Sequence, residues 1–225
     1  MLRTLIWKDV LANRFSLLLA AILLVAAYGV AAIMGLLDPM MTAQPSWGRR
    51  LAEILFFGSL MSYAVAHLSL AVLSGNLIAG ERVRRSAEFL AYLPPSRGMV
   101  LRAKATVLGT VALLLLFIPL AMTGLGAFFD KASLVDIYRK TASGCVVIWA
   151  MGFCDSGIGW LASCCLQSNA VAILFALLSP YILMILITLV IQSAEPTAIL
   201  VAANLSIGLA GFLFGTMHYL NRVEP

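Results

Sequence analysis

Six long apolar stretches dominate this sequence and decide what kind of fold it can adopt. They lie near residues 15–37, 51–79, 105–129, 143–166, 170–191 and 197–220. Each exceeds the roughly 20 residues that an α-helix needs to cross the hydrocarbon core of a bilayer. Charged residues make up 11% of the chain, less than half of the roughly 25% found in soluble domains. The sequence therefore predicts an all-α integral membrane protein with six transmembrane helices, forming one domain over residues 1–225.

The positions of the Lys and Arg residues predict which side of the membrane each loop occupies. Ten of the fifteen lie in the N-terminal segment, the loop 80–104 and the C-terminus, and five lie in the loops on the other side. Cytoplasmic loops carry an excess of Lys and Arg, so both termini are predicted to be cytoplasmic. Positive charge placed beside membrane spans indicates topology and contact with anionic lipid, and it gives no sign of nucleic-acid binding.

Residues 1–14 precede the first span and mix apolar and basic side chains. This composition is typical of an interfacial helix that lies on the membrane with Trp7 at headgroup depth. An ordinary basic flank of the first span is an equal alternative. The amphipathic pattern is imperfect, because Asp9 falls on the same helical face as Leu2, Leu5 and Ile6.

The longest polar interruption runs from Gly80 to Lys104 and holds six of the fifteen Lys and Arg residues. Residues 81–92 contain no Gly or Pro and predict a short helix with an apolar edge. Pro94 and Pro95 must end that helix, because proline lacks an N–H and restricts the residue before it. Ser96 is then well placed to cap the helix that re-enters the membrane.

The order of residues in this interruption resembles the first cytoplasmic loop of ABC-2 type transporter permeases. The matching segments are Gly80-Glu81-Arg82, Glu88-Phe89-Leu90, Leu93-Pro94, Ser96-Arg97 and Lys104. The family has an acidic residue leaving its second span, a Glu-x-Leu helix, a Leu-Pro-x-Ser-Arg turn and a Lys before its third span. Pro95 departs from the family, which more often has a small aliphatic residue there.

The resemblance implies a coupling helix in this loop that docks on a separate ATP-binding subunit. The residues it assigns to that contact are Glu81, Arg85, Glu88, Phe89, Leu90, Leu93 and Arg97. ATP and Mg²⁺ would be held by the partner subunit, and this chain would bind no cofactor. A second copy of the chain, or a related permease, would complete an exporter in the bacterial cytoplasmic membrane. Its cavity would be lined by the first, second and fifth spans and would suit an apolar or amphipathic cargo.

Three ionisable side chains lie inside predicted spans and form a candidate intramembrane polar site: Asp155, His67 and Glu53. A charge at the depth of Asp155 costs about 3 kcal/mol or more, so such a residue is a functional candidate. The sequence slightly favours a protonated or hydrogen-bonded Asp155 packed in the bundle, against Ser156 or a neighbouring helix. It likewise favours a neutral His67 that donates to a backbone carbonyl. Glu53 lies near the outer end of its span.

Enzyme motifs are absent from the sequence. It contains no Gly-x-x-x-x-Gly-Lys-Ser/Thr loop, no His-Glu-x-x-His and no Gly-x-Ser-x-Gly, which argues against catalysis by this chain. The four cysteines fall in one predicted span, and Cys154 and Cys165 would lie about 16 Å apart along a helix, too far to share a metal ion. The alternative function is a non-transporting membrane protein, either an assembly factor or an intramembrane enzyme that uses Asp155 and His67.

Small residues in the last span predict close helix packing. Gly208, Gly211 and Gly215 recur at one-turn spacing, which lets two helix backbones approach each other. Because small residues are common in membrane helices, packing within the chain is favoured over dimerisation through this span.

Overall fold

The computed structural model describes residues 1–37, 47–83, 96–129, 134–190 and 196–221. In these ranges the chain forms the α-helices Leu2–Ala12 (α1), Arg14–Leu37 (α2), Trp47–Asn76 (α3), Ala79–Val83 (α4), Arg97–Phe129 (α5), Leu134–Cys165 (α6), Asn169–Val190 (α7) and Pro196–Asn221 (α8). Within the described residues, six helices are long and apolar enough to cross a membrane, namely α2, α3, α5, α6, α7 and α8. The prediction of an all-α, multi-pass membrane protein is confirmed.

Three spanning helices extend further than their apolar stretches. Helix α3 begins four residues before position 51, α5 begins at Arg97 where 105 was predicted, and α6 begins at Leu134 where 143 was predicted. Residues 97–104, which the sequence placed in the loop, are the first two turns of α5. Hydropathy marks only the part of a helix that lipid can cover, whereas backbone hydrogen bonding continues into the polar flank. The predicted cap is confirmed, since the Met99 N–H donates to Ser96 Oγ at 3.4 Å.

The N-terminal helix α1 is separate from α2. Asn13 interrupts the two helices, and both its backbone N–H and its side-chain amide donate to the carbonyl oxygen of Asp9. Helix α1 packs on the start of α5, with Leu5 against Val100 and Ala103. On its other side Trp7 is 63% exposed. That division into a packed face and an exposed apolar face is typical of an interfacial helix.

Helix α3 lies at the centre of the bundle and contacts α2, α5, α6 and α7. Its large buried side chains are Leu70 and Leu73, and they belong to the same apolar core as Leu108, Leu116 and Trp160. The outward sides of α2 and α7 carry exposed Leu, Ile and Phe side chains. In a bilayer those side chains contact lipid, so the chain needs only its small and polar residues to specify which helices pack together.

The glycines of α8 pack against α6. A side chain added at Gly208 would meet Phe153, and one added at Gly211 would meet the backbone of Gly157. A side chain added at Gly215 would meet Trp160 and the backbone of Leu161. The prediction that these glycines serve packing within the chain is confirmed.

The topology predicted from the charge count is tested by cysteine labelling at three loop positions, all of which lie outside the described residues. Cysteines introduced at Ser46 and Ser133 should react with a membrane-impermeant maleimide added to intact cells. A cysteine at Ser86 should react only after the cells are opened. Labelling at Ser86 in intact cells would reverse the predicted orientation.

Candidate functional site

The helical conformation is interrupted directly after α3, at the end of α3 that is predicted to face the cytoplasm. Helix α3 ends at Asn76, and the short helix α4 begins at Ala79. The first N–H groups of a helix have no partner within it. Here the N–H groups of Ile78 and Ala79 both donate to Ser163 Oγ, at 2.9 and 2.8 Å. Ser163 is fully buried on α6, so the start of α4 is capped by a different helix.

Lys104, which lies on α5, contacts the same segment between α3 and α4, and its side chain is fully buried. Its Nζ donates to the carbonyl oxygen of Leu77 at 2.7 Å. The same nitrogen lies 3.3 Å from Asp9 Oδ1 and 3.0 Å from Glu81 Oε1. Lys8 Nζ adds a second cation, 2.5 Å from Glu81 Oε1 and 3.8 Å from Asp9 Oδ1. Two ammonium groups therefore meet two carboxylates that are far apart in sequence.

Burial makes this charge cluster sensitive to the loss of any member. Taking a charge out of water costs several kcal/mol unless an opposite charge and hydrogen bonds compensate. Burial raises the pKa of the Asp9 carboxyl above its ordinary value, and the neighbouring Lys104 opposes that rise. Asp9, which interrupts the apolar face of α1, thus links α1 to α5 through Lys104, and Lys8 links α1 to Glu81 on α4.

Three asparagines extend these contacts to α7. Asn76 Nδ2 donates to Asn13 Oδ1 at 3.1 Å, and Asn169 Nδ2 donates to Asn76 Oδ1 at 3.3 Å. Amide hydrogen bonds of this kind join transmembrane helices. They connect the bend between α1 and α2, the end of α3 and the beginning of α7. Asn76 and Asn169 thus make hydrogen bonds between helices.

We call this set of contacts the loop junction. Its residues are Lys8, Asp9, Asn13, Asn76, Leu77, Glu81, Lys104, Ser163 and Asn169. It joins α1, α3, α4, α5, α6 and α7 at the point where the predicted coupling loop leaves and re-enters the bundle.

The structure places the residues that the resemblance assigned to the ATP-binding subunit in different surroundings. Glu81 contacts Lys8 and Lys104 in the loop junction, with its side chain 14% exposed. Arg97 is exposed at the first turn of α5. The other five lie outside the described residues: Arg85, Glu88, Phe89, Leu90 and Leu93. The carboxylate of Glu81 is therefore held within the chain by Lys8 and Lys104.

A second polar group lies deep in the bundle, where His67 Nδ1 on α3 contacts Asp155 Oδ2 on α6. The side chains are 5% and 0% exposed. This corrects the sequence interpretation of His67, which contacts Asp155 where a backbone carbonyl was predicted. The interpretation of Asp155 as a hydrogen-bonded residue packed against a neighbouring helix is confirmed. Ser156 does not bind Asp155, because its hydroxyl donates to the carbonyl oxygen of Gly152. The sequence grouped the two residues as candidates but did not indicate that they are in contact, because they are 88 residues apart.

The surroundings of this pair leave two of its polar atoms without a partner. Asp155 Oδ1 and His67 Nε2 are buried and make no hydrogen bond. The Tyr181 ring on α7 lies 6.5 Å from the imidazole, centroid to centroid. Ser74 Oγ donates to the backbone oxygen of Asp155 at 3.3 Å, which ties α3 to α6 two turns beyond His67 on α3.

Glu53 is not part of this polar group. It precedes His67 by fourteen residues on the same helix, about 21 Å along the helix axis. Its carboxylate lies 3.2 Å from Arg49 Nε, one turn earlier on α3, and is partly exposed. The three predicted intramembrane candidates therefore separate into a buried pair and a surface ion pair.

An apolar cavity of about 390 Å³ lies beside α7. Its lining comes from α7 and one residue of α8: Leu174, Phe175, Leu178, Ser179, Ile182, Leu183, Leu186 and Ile207. Ser179 is the polar member, and its hydroxyl lies 3.9 Å from Cys154 Sγ on α6. The cavity thus presents a hydrocarbon surface with one hydroxyl group, which suits an alkyl chain better than an ion.

Lys104 and Asp9 are the functional candidates that sequence analysis missed. One weak signal was present, a carboxylate on the apolar face of an amphipathic helix. A buried acid of that kind requires a cation elsewhere in the fold. Nothing in the sequence indicated which of the fifteen Lys and Arg residues would supply it, since Lys104 is 95 residues away.

The described residues contain no group of three or more His, Cys, Asp and Glu side chains that could hold a metal ion. Cys154 and Cys164 are buried thiols, and Cys165 is exposed at the end of α6. A comparison of the chain with protein-family models finds no match, and a comparison with curated proteins finds none either. The residues of the chain and their contacts are therefore the basis on which its function is inferred.

Proposed function

We propose that this chain is the membrane-spanning permease subunit of an ATP-driven exporter of the ABC-2 type. In this proposal a separate ATP-binding subunit docks on the loop 80–104 and supplies ATP and Mg²⁺, and this chain binds no cofactor. Two permease subunits face each other in a bacterial cytoplasmic membrane, with both termini cytoplasmic. The cargo is apolar or amphipathic and moves by alternating access.

The loop junction is the observation that carries this proposal. A transporter driven from outside the membrane needs a stiff connection between the docking loop and the spans. Lys104 provides one, because its buried ammonium bridges the carbonyl oxygen of Leu77 and the carboxylates of Asp9 and Glu81. Helix α4, at the start of the loop that resembles a coupling loop, and α5, which follows that loop, thereby meet at a nitrogen atom two turns inside α5.

The junction also explains how a push on the loop would reach the rest of the bundle. Helix α4 follows α3 directly, and its first N–H groups are held by Ser163 on α6. Asn76, at the end of α3, accepts a hydrogen bond from Asn169 at the start of α7. A rigid displacement of α4 would therefore tilt α3, α6 and α7 together. Helix α7 carries the apolar cavity, so that tilt would change the surface offered to a cargo.

The alternative function, an intramembrane enzyme, draws some support from the contact between His67 and Asp155. The pair has no third catalytic partner among the described residues, and neither side chain reaches a surface where a substrate could bind. General acid–base catalysis requires a side chain within hydrogen-bonding reach of the substrate. The geometry therefore favours the transporter.

The test of this proposal is recovery of the ATP-binding subunit with a tagged chain. Phe89→Ala combined with Leu90→Ala is expected to abolish co-purification in mild detergent and to lower ATPase activity in the complex. Buried aromatic and leucine anchors contribute about 2 kcal/mol or more at interfaces, roughly a thirtyfold loss of affinity for each anchor. Membrane insertion should be unchanged, because the six spans are intact.

Leu36→Ala combined with Leu37→Ala provides a matched control. These two leucines are exposed at the end of α2 that is predicted to face away from the cytoplasm, and the double variant should recover the ATPase like wild type. Equal recovery with the Phe89/Leu90 variant would refute the coupling-helix assignment. Failure of the wild-type chain to recover any ATPase would refute the transporter itself.

A further inference from the structure

The pair of His67 and Asp155 is closed off from water by the packing of α3, α6 and α7. His67 is 4% exposed and Asp155 is fully buried. Within the described part of the chain, no Lys or Arg forms a salt bridge with either side chain. The charge of the pair must therefore be balanced within the pair.

The other ionisable side chains near the pair are neutral at neutral pH. They are the thiol of Cys154 beside Asp155, the phenol of Tyr63 one turn before His67, and the phenol of Tyr181 on α7. Helix α7 carries no charged residue, and in α8 the ionisable side chains are His218 and Tyr219 near its end. In α2 the single charge is Arg14 at its start, and α5 carries none after Lys104.

Counting protons separates the possible states of the pair. An ionised Asp155 beside a neutral His67 has a net charge of −1. One additional proton, placed on either partner, makes the pair neutral overall, as an imidazolium–carboxylate pair or as a carboxylic acid donating to the imidazole. A net charge held in a medium of low dielectric is far less stable than a neutral pair.

The unpartnered oxygen of Asp155 agrees with this count. With a net charge of −1, the buried Oδ1 of Asp155 would carry anionic charge with no donor. With the additional proton, the charge on Oδ1 is either removed or balanced by the adjacent imidazolium. Nε2 of His67 has no partner in either state and does not distinguish them. We propose that His67 and Asp155 form an intramembrane proton-binding site that holds one proton more than a carboxylate and a neutral imidazole.

This inference goes beyond the proposed transport function and does not depend on it. Because the site is closed in the packed bundle, its proton can exchange with water only when α3, α6 and α7 separate. Closing the bundle around the pair then requires the pair to bind one proton. Any movement that admits water to the pair allows this proton to leave at alkaline pH.

The site is tested by comparing wild type with Asp155→Asn in equilibrium unfolding by SDS in mixed micelles between pH 5.5 and 8. Asparagine keeps the shape and one hydrogen bond to His67, but it cannot share a proton. Because folded wild type holds one additional proton, the ratio of the unfolding constant of wild type to that of Asp155→Asn should rise tenfold per pH unit. Wild type thus loses stability relative to the variant as pH rises. All other titrating groups cancel, because both proteins contain them. A ratio independent of pH would overturn the proposal.

Glu53→Gln is the matched control. It makes the same carboxylate-to-amide change on a partly exposed residue of α3. The pH profile of its unfolding constant relative to wild type is the reference with which the Asp155→Asn profile is compared.

Histidine nitrogen-15 spectra of the wild-type chain in nanodiscs give a second readout, which decides the question even if Asp155→Asn does not fold. The chain has two histidines, and the exposed His218 serves as an internal reference. At pH 8 the proposal expects a hydrogen on Nε2 of His67 and a strongly hydrogen-bonded Nδ1. A bare Nε2, or titration of His67 at the same pH as His218, would exclude the site.

Discussion

Replacing Lys104 with methionine is expected to lower the free energy of unfolding by about 3–5 kcal/mol, the usual cost of breaking a buried ion pair from one side. Methionine keeps most of the apolar stem, so the loss comes from the charge. It leaves the buried Asp9 with the half-exposed Lys8 as its remaining cation, and it leaves the carbonyl oxygen of Leu77 without the ammonium donor. The measurement is unfolding by SDS or heat in detergent micelles.

The deficit of Lys104→Met should shrink as pH falls from 7 to 5. Burial already raises the pKa of the Asp9 carboxyl, and Lys104 opposes that rise. Without Lys104 the pKa of Asp9 rises further, so the folded state binds a proton that the unfolded state, with an ordinary carboxyl near 3.9, does not. Extra protons bound by the folded state stabilise it at lower pH, which gives the direction of the effect.

Arg102→Met is the matched control, because it removes an exposed cation two residues earlier on the same helix. Its effect should stay within about 0.5 kcal/mol, as for most surface substitutions. The double variant Asp9→Asn with Lys104→Met should recover part of the loss, since the unpaired charge is gone. Equal stability of Lys104→Met and Arg102→Met would show that the junction does not hold the fold together.

The second large effect is expected at Gly157, where α6 and α8 meet most closely. An added Cβ would overlap the backbone of Gly208, which cannot rotate away as a side chain would. Gly157→Ala should therefore force the helices apart and destabilise the protein by about 2–3 kcal/mol, in spite of the better helix propensity of alanine. The midpoint of thermal unfolding in detergent measures it.

Gly109→Ala is the control that separates the packing cost at Gly157 from the gain in helix propensity. Gly109 lies inside α5, and an added Cβ would meet nothing within 4 Å. Gly109→Ala should be neutral or stabilise the protein by up to about 1 kcal/mol, the propensity difference between the two residues. If both variants gained stability alike, α6 and α8 would not be in backbone contact at Gly157.

The sequence alone determined the membrane class, the six spans and the cap at Ser96. Each depends on neighbours along the chain. A bilayer provides no partner for backbone N–H and C=O groups, so a long apolar stretch must satisfy them within its own helix. Ser96 caps α5 because its hydroxyl reaches an N–H three residues later. The small residues at 208, 211 and 215 likewise indicated a packing face, although not its partner.

Only the tertiary structure decided how the polar residues pair. His67 reaches Asp155 across 88 residues, and Asp9 reaches Lys104 across 95. Hydropathy and helical spacing do not specify which spans are neighbours or how each span is rotated about its own axis. A contact between two side chains on different helices depends on both of these. In lipid the apolar side chains are nearly indifferent to their neighbours, so helix order is set by close backbone contacts and by the cost of a buried charge without a counter-charge.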